Sequence, residues 1–212
     1  MRYEFLIDTY ETERLKVLSV WSMFNDNDLP FRPNPDDRRG RSVLEQMVHQ
    51  CLSEDLWFRR ILGIDVHAPP LPAEESRLGF IGRYAEDSGK RLNALRLQKE
   101  AWWEEPVAFF DVVRSRAWVF VRRIAHTSHH RGQQMAMLRM LNRDIHSNYG
   151  PTADTGGLMQ NSAPVIYAYP DVDKLLSGES TGGSKAPLPG PGQKPPTERP
   201  HINGVASSND TR

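Results

Sequence analysis

Apolar residues recur at three- and four-residue spacing through four long stretches of the chain, and proline and glycine gather in the gaps between them. A period near 3.6 residues is the mark of amphipathic helices. The first stretch, RLKVLSVWSMF, predicts a helix capped by Thr9 or Thr12 and ending near Phe24, where Asn25-Asp26-Asn27-Asp28 and Pro30 follow. The second, SVLEQMVHQCLSEDLWFRRILG, opens with Ser42 three residues ahead of Glu45, a capping-box spacing, and closes at Gly63. Its apolar set of Leu44, Met47, Val48, Cys51, Leu52, Leu56 and Ile61 or Leu62 marks the face expected to turn inward. A third pattern spans about Glu74 to Trp103 and stops at Glu104-Glu105-Pro106, and a fourth runs from about Arg116 to Leu141 without a proline.

Between the second and third patterns lies IDVHAPPLP, too rich in proline to be helical and long enough to cross a bundle. Four long helices predict an all-α fold: a four-helix bundle with a long crossover between helices 2 and 3. VAFFDVV and PVIYAYP are short segments able to pair as small strands, but they weigh little against the helices. From Lys174 the composition changes to glycine, proline and serine with few aliphatics. Such a segment buries too little apolar surface to offset its ordering entropy, so residues 1–173 are expected to form the bundle and 174–212 a disordered tail. His201 falls in that tail and is a poor site candidate.

Charge narrows the function classes. The 27 lysines and arginines balance 27 aspartates and glutamates, which leaves no basic footprint for nucleic acid. The basic clusters at 37–41, Arg59-Arg60 and Arg122-Arg123 are separated and interleaved with acids, as on solvated helix faces. A lone cysteine, Cys51, allows no intramolecular disulfide. The apolar run near the N-terminus is too short for a signal peptide or a membrane span. A soluble cytoplasmic protein without a nucleic-acid or membrane partner is the expectation.

Three of the seven histidines fall within five residues of the fourth helix, in AHTSHHRGQQ. At about 100° per residue, His126 and His130 lie about 40° apart and His126 within about 20° of Val119 and Met137, so both point into the bundle. His129 is turned about 60° to the other side, nearer the stripe's edge. Two inward imidazoles four residues apart can grip one metal ion. Buried without partners they would cost about 1–3 kcal/mol each. The second helix offers a third donor in His49, about 20° from Leu56 and about 60° from Leu52. His146 lies about four turns from His130, and His67 sits in the proline-flanked linker, so both are weaker rivals. Buried carboxylates such as Glu45 are the competing explanation, and spacing alone leaves the two open. Cys51, about 160° round the helix from His49, reads as core filler.

The run from His126 through Thr-Ser-His-His130-Arg131-Gly132-Gln133 resembles the HxxxHRGQ signature of the DinB-like (DinB/YfiT) superfamily. In the same order, MVHQCLSEDLWF is similar to that family's segment bearing one upstream metal-binding histidine. The likeness covers about residues 10–170, including YGPTADTGG after the last long helix, which is similar to a loop in one branch of the family. It implies a four-helix bundle with a long second crossover, often a homodimer, and a divalent metal held by His49, His126 and His130. Characterised relatives include metal-dependent thiol transferases using bacillithiol or mycothiol and a thiol-dependent maleylpyruvate isomerase. A small-molecule substrate and a low-molecular-weight thiol are therefore implied as partners.

Three neutral imidazoles leave coordination positions open, the pattern of a catalytic site. An all-nitrogen donor set suits zinc or nickel, with iron or manganese less favoured. Gly132 is expected to permit close helix approach, and Arg131 and Gln133 to orient ligands or substrate, Gln133 through a ring nitrogen. His129 is read as a non-ligand. The leading expectation is a metal-dependent enzyme, a thiol S-transferase or a small-substrate hydrolase. Its alternative is a metal- or ligand-binding stress protein without catalysis.

Overall fold

The computed structural model describes residues 2–193. Helix α1 (Glu4–Met23) begins earlier than a threonine cap predicts. Thr9 and Thr12 lie inside it, their hydroxyls bonded back to the carbonyls of Phe5 (2.6 Å) and Asp8 (2.9 Å). Leu6, Ile7 and Tyr10 are buried and carry the helix into this extra length.

Helix α2 (Val43–Leu56) opens on the expected capping box: Glu45 N donates to Ser42 Oγ (3.2 Å) and Ser42 N to Glu45 Oε2 (2.7 Å). It runs on as a π-helical turn, Trp57–Leu62, and stops at Gly63, whose φ of 73° is the left-handed geometry glycine adopts freely. The crossover then leads to α3 (Arg77–Arg96).

The third pattern is two helices. At Lys99 the backbone is extended, and α4 (Glu100–Glu104) starts afresh. The break turns Trp103 into the core, where it is fully buried and stacks on Tyr3 with centroids 5.7 Å apart. VAFFDVV does form strands: β1 (Pro106–Phe109) and β2 (Val112–Ser115) make an antiparallel hairpin, Phe109 opposite Val112. Ser115 caps α5 (Arg116–Met140). PVIYAYP forms no strand among the described residues.

The expected tail boundary at 173/174 needs correcting. Helix α6 (Val172–Thr181) crosses it, packing over α1 and α3 with Leu175 fully buried. A Cβ at Gly178 would lie 2.5 Å from Tyr169 Cε1, so only glycine lets that ring close on the helix. Beyond α6 the chain is held by backbone bonds, Ala186 N to Ala168 O (3.1 Å) and Gly190 N to Asp154 O (3.0 Å). Composition averaged over the segment hid one short amphipathic helix and cannot register main-chain bonds. Residues 194–212, with His201, lie outside the described residues.

The fold is all-α apart from the hairpin. Helix α1 packs on α3 and α5, and α5 on α2. The apolar core falls into two clusters. One gathers Val17, Trp21, Met47, Cys51, Phe80 and Leu138, the other Leu6, Tyr10, Phe58, Leu92, Trp103 and Phe120. The inner face of α2 differs from the apolar pattern: Leu52 and Leu56 are exposed while Gln46, Gln50, Glu54 and Asp55 are buried. Phe58, next to the exposed-leaning end of that helix, is fully buried. No helix among the described residues is long and apolar enough to cross a membrane.

Candidate metal centre

A polar layer separates the two apolar clusters. From α5 it takes Arg123, Thr127, His130, Arg131 and Gln134, and from α2 Gln46, Gln50 and Glu54. Glu54 accepts hydrogen bonds from Tyr10 (2.6 Å) and Tyr84 (3.0 Å) and pairs with Arg91 and Arg123, each at 3.5 Å. Arg123 also donates to Ser53 Oγ and Thr127 Oγ1, both at 3.0 Å. These bonds cost the burial of polar groups but fix how α2 is rotated against α5. Partners from α1 and α3 are what allow carboxylates and amides to take the inner face of α2 from Leu52 and Leu56.

That rotation brings His49 to the histidines of α5. His130 Nε2 lies 3.0 Å from His49 Nε2 and 3.2 Å from His126 Nε2. One ring nitrogen of each of the three falls within 4.8 Å of the other two. On its other side His130 Nδ1 faces two amide oxygens, Gln46 Oε1 at 3.0 Å and Gln133 Oε1 at 3.2 Å. Two acceptors there hold the proton on Nδ1, so the Nε2 lone pair is directed into the cluster. His126 has a different support. Its buried Nδ1 has no hydrogen-bond partner, and the Trp57 ring lies over the imidazole, centroids 5.7 Å apart at 30°.

Burial pushes the His126 pKa down to about 3 and that of His130 to about 4, with Arg123 the next cause for His126 and His49 for His130. Burial, then Arg41 and Arg123, lowers His49 as well. The imidazoles are therefore neutral at pH 7 and their lone pairs are free to bind. Nitrogens sharing one cation at about 2.0–2.1 Å stand about 3–3.4 Å apart, and lone pairs facing one another at such spacing repel unless a cation lies among them. The donor set and the two spacings at His130 fit a divalent metal.

A family model described as the DinB family matches residues 7–154. The chain belongs to the DinB family. Among solved structures, this DinB-family bundle is similar to a DinB-like protein from Bacillus cereus ATCC 10987, with a TM-score of 0.61 and 15% identity over 69% of this chain and 97% of that one. At that identity the likeness concerns the fold. No curated protein matches the chain.

Other expected residues of the DinB-family signature lie as follows. Gln133 is at the cluster, taking a bond from Gln46 Nε2 (2.8 Å) and placing its own Nε2 3.0 Å from His129 Nε2. His129 is exposed and outside the converging group. Arg131 is not at the histidines: its buried guanidinium pairs with Glu13 of α1 and bonds Ser128, because a residue one past His130 points about 100° away. Gly132 is exposed, and a Cβ there would meet nothing within 4 Å, so it makes no close helix contact. Glu45 is committed to its cap and to Arg32, so it does not satisfy the histidines. His146 bonds Ala186 O (2.7 Å) and His67 is exposed. Cys51 is buried, and burial pushes its thiol pKa well up.

Two contributors were missed in the sequence, Gln46 and Trp57. Gln46 sits one turn before His49, and a glutamine on an inner helical face was itself the available signal. Trp57 gave none, because its direction depends on the π-helical turn.

Proposed function

We propose that His49, His126 and His130 hold a divalent cation, zinc or nickel by their donor chemistry, and that the chain is a metal-dependent enzyme acting on a small molecule. The reaction is transfer of a low-molecular-weight thiol to an electrophile, or hydrolysis. One observation carries this reading: three ring nitrogens converge while His130 Nδ1 is already committed to Gln46 and Gln133. A cation held by three neutral imidazoles supplies Lewis acidity, which lowers the pKa of a thiol or water bound to it.

The chain's own residues do the rest. Gln46 and Gln133 fix the tautomer of His130, while burial keeps it neutral. Trp57 stacks over one face of His126, and the two rings together line a pocket open to solvent.

The test is zinc- or nickel-loaded protein, dialysed, analysed for metal and screened against thiol–electrophile pairs and small esters or amides. About one metal per chain is expected, with turnover abolished by chelator and by His130→Ala. Full metal occupancy with no turnover across the screen would favour the non-catalytic alternative, and absence of stoichiometric metal would overturn the site itself.

A further inference from the structure

Arg122, Ala125, His126 and His129 form one stripe of α5, and Trp57, Phe109 and Phe110 stand beside it; together they line an open pocket of about 540 Å³. His126 belongs both to this pocket and to the converging histidines. Three features set the pocket apart from a passive recess.

The first is a continuous aromatic wall. Trp57 lies over His126, Phe109 meets Trp57 edge-on at 5.1 Å, and Phe110 meets Phe109 edge-on at 4.8 Å. The wall runs from the imidazole to the hairpin tip. The second is Phe110 itself, which is 81% exposed yet has a φ of 52° in the left-handed region. That conformation is disfavoured for a bulky L-residue, and burial does not offset it here. The two-residue hairpin loop imposes that geometry on its first position, and it fixes the large apolar ring at the open rim of the pocket. The third is Arg122. It is exposed and makes no hydrogen bond, ion pair or ring contact among the described residues, whereas its neighbours Arg114, Arg116 and Arg123 are all engaged.

Resting on the metal reading above, we infer that this pocket is the substrate subsite of the centre and takes a small molecule with a planar aromatic or conjugated body and a carboxylate. The body lies against Trp57, Phe109 and Phe110, where stacked and edge-on contacts are available. The carboxylate pairs with the Arg122 guanidinium, whose planar fork matches it. Ala125 leaves the floor open between the two. A ligand so held has its remaining face toward His126, and no carboxylate lines the pocket to repel it. Arg122 and Phe110 are then specificity-determining residues.

The test uses full-length zinc-loaded protein titrated calorimetrically with 2-naphthoate and with 2-naphthylmethanol, its uncharged counterpart. Metal content and thermal midpoint are measured on the same samples. The expectation is that naphthoate binds about tenfold more tightly or better, and that Arg122→Gln abolishes the preference with zinc content unchanged. Phe110→Gly should weaken both ligands severalfold while leaving the midpoint the same or higher, which a merely structural role would not produce.

Equal binding of the two ligands would overturn the inference. So would a preference that survives Arg122→Gln, as direct binding of the carboxylate to zinc would give, or affinities untouched by Phe110→Gly. In each of these cases the zinc content stays stoichiometric and the metal reading stands. A wild-type protein that retains no zinc overturns the metal reading instead, and shows it in the metal assay whatever naphthoate does.

Discussion

Gln46 Oε1, on α2, lies 3.0 Å from Nδ1 of His130 on α5. A side chain one turn from one histidine thus sets the tautomer of another across a helix interface, and through it the direction of a lone pair. Gln46→Leu keeps the helix and removes the acceptor. Metal affinity is expected to fall about 10–100-fold, the usual effect of losing such a support. Competition with a chelator of known affinity measures it, and an unchanged affinity would mean that Gln133 alone suffices.

Glu54 is fully buried among Tyr10, Tyr84, Arg91 and Arg123. Glu54→Ala leaves Arg123 without a carboxylate and Arg91 with Asp55 alone, so a loss of about 3–5 kcal/mol is expected. Urea unfolding reads this directly. A loss under about 1 kcal/mol would show that the polar layer does not hold the helices in register.

Much of the bundle was legible because its devices are local. Ser42 with Glu45 and Gly63 act within a turn, and the apolar phase of Val119 and Met137 runs along a single helix. His126 and His130 were placed by that same phase. What escaped depends on partners remote in sequence. The inner face of α2 is polar because Arg91 and Tyr84 come from α3, and periodicity weighs Leu52 and Leu56 without knowing that. Arg131 fails as a neighbour of the histidines for the opposite reason: proximity in sequence says nothing of its turn toward Glu13. Leu175 was lost in a glycine- and serine-rich average.

Burial holds His126 and His130 at about 3 and about 4 in the folded, metal-free protein, whereas histidines of the unfolded chain titrate near about 6.5. Below about pH 6.5 the unfolded chain binds protons that the folded one does not, so stability declines as pH falls toward 4. The metal-free thermal midpoint is expected to be lower at pH 5 than at pH 7. A His126→Leu, His130→Leu double variant should flatten that decline, and an equally steep one would place its origin elsewhere.

Helix α6 is expected to contribute to stability. Leu175→Ala removes a fully buried side chain and should cost about 2–5 kcal/mol. Calorimetric unfolding tests this. A variant as stable as the parent would show that α6 is dispensable to the bundle.

The central claim is one cation shared by His49, His126 and His130. Anomalous diffraction at the metal edge, from crystals of zinc- or nickel-loaded protein, tests it most directly. A single strong peak is expected about 2.0–2.1 Å from a ring nitrogen of each histidine. A map with no peak among the three imidazoles, or with the metal bound elsewhere on the chain, would contradict it.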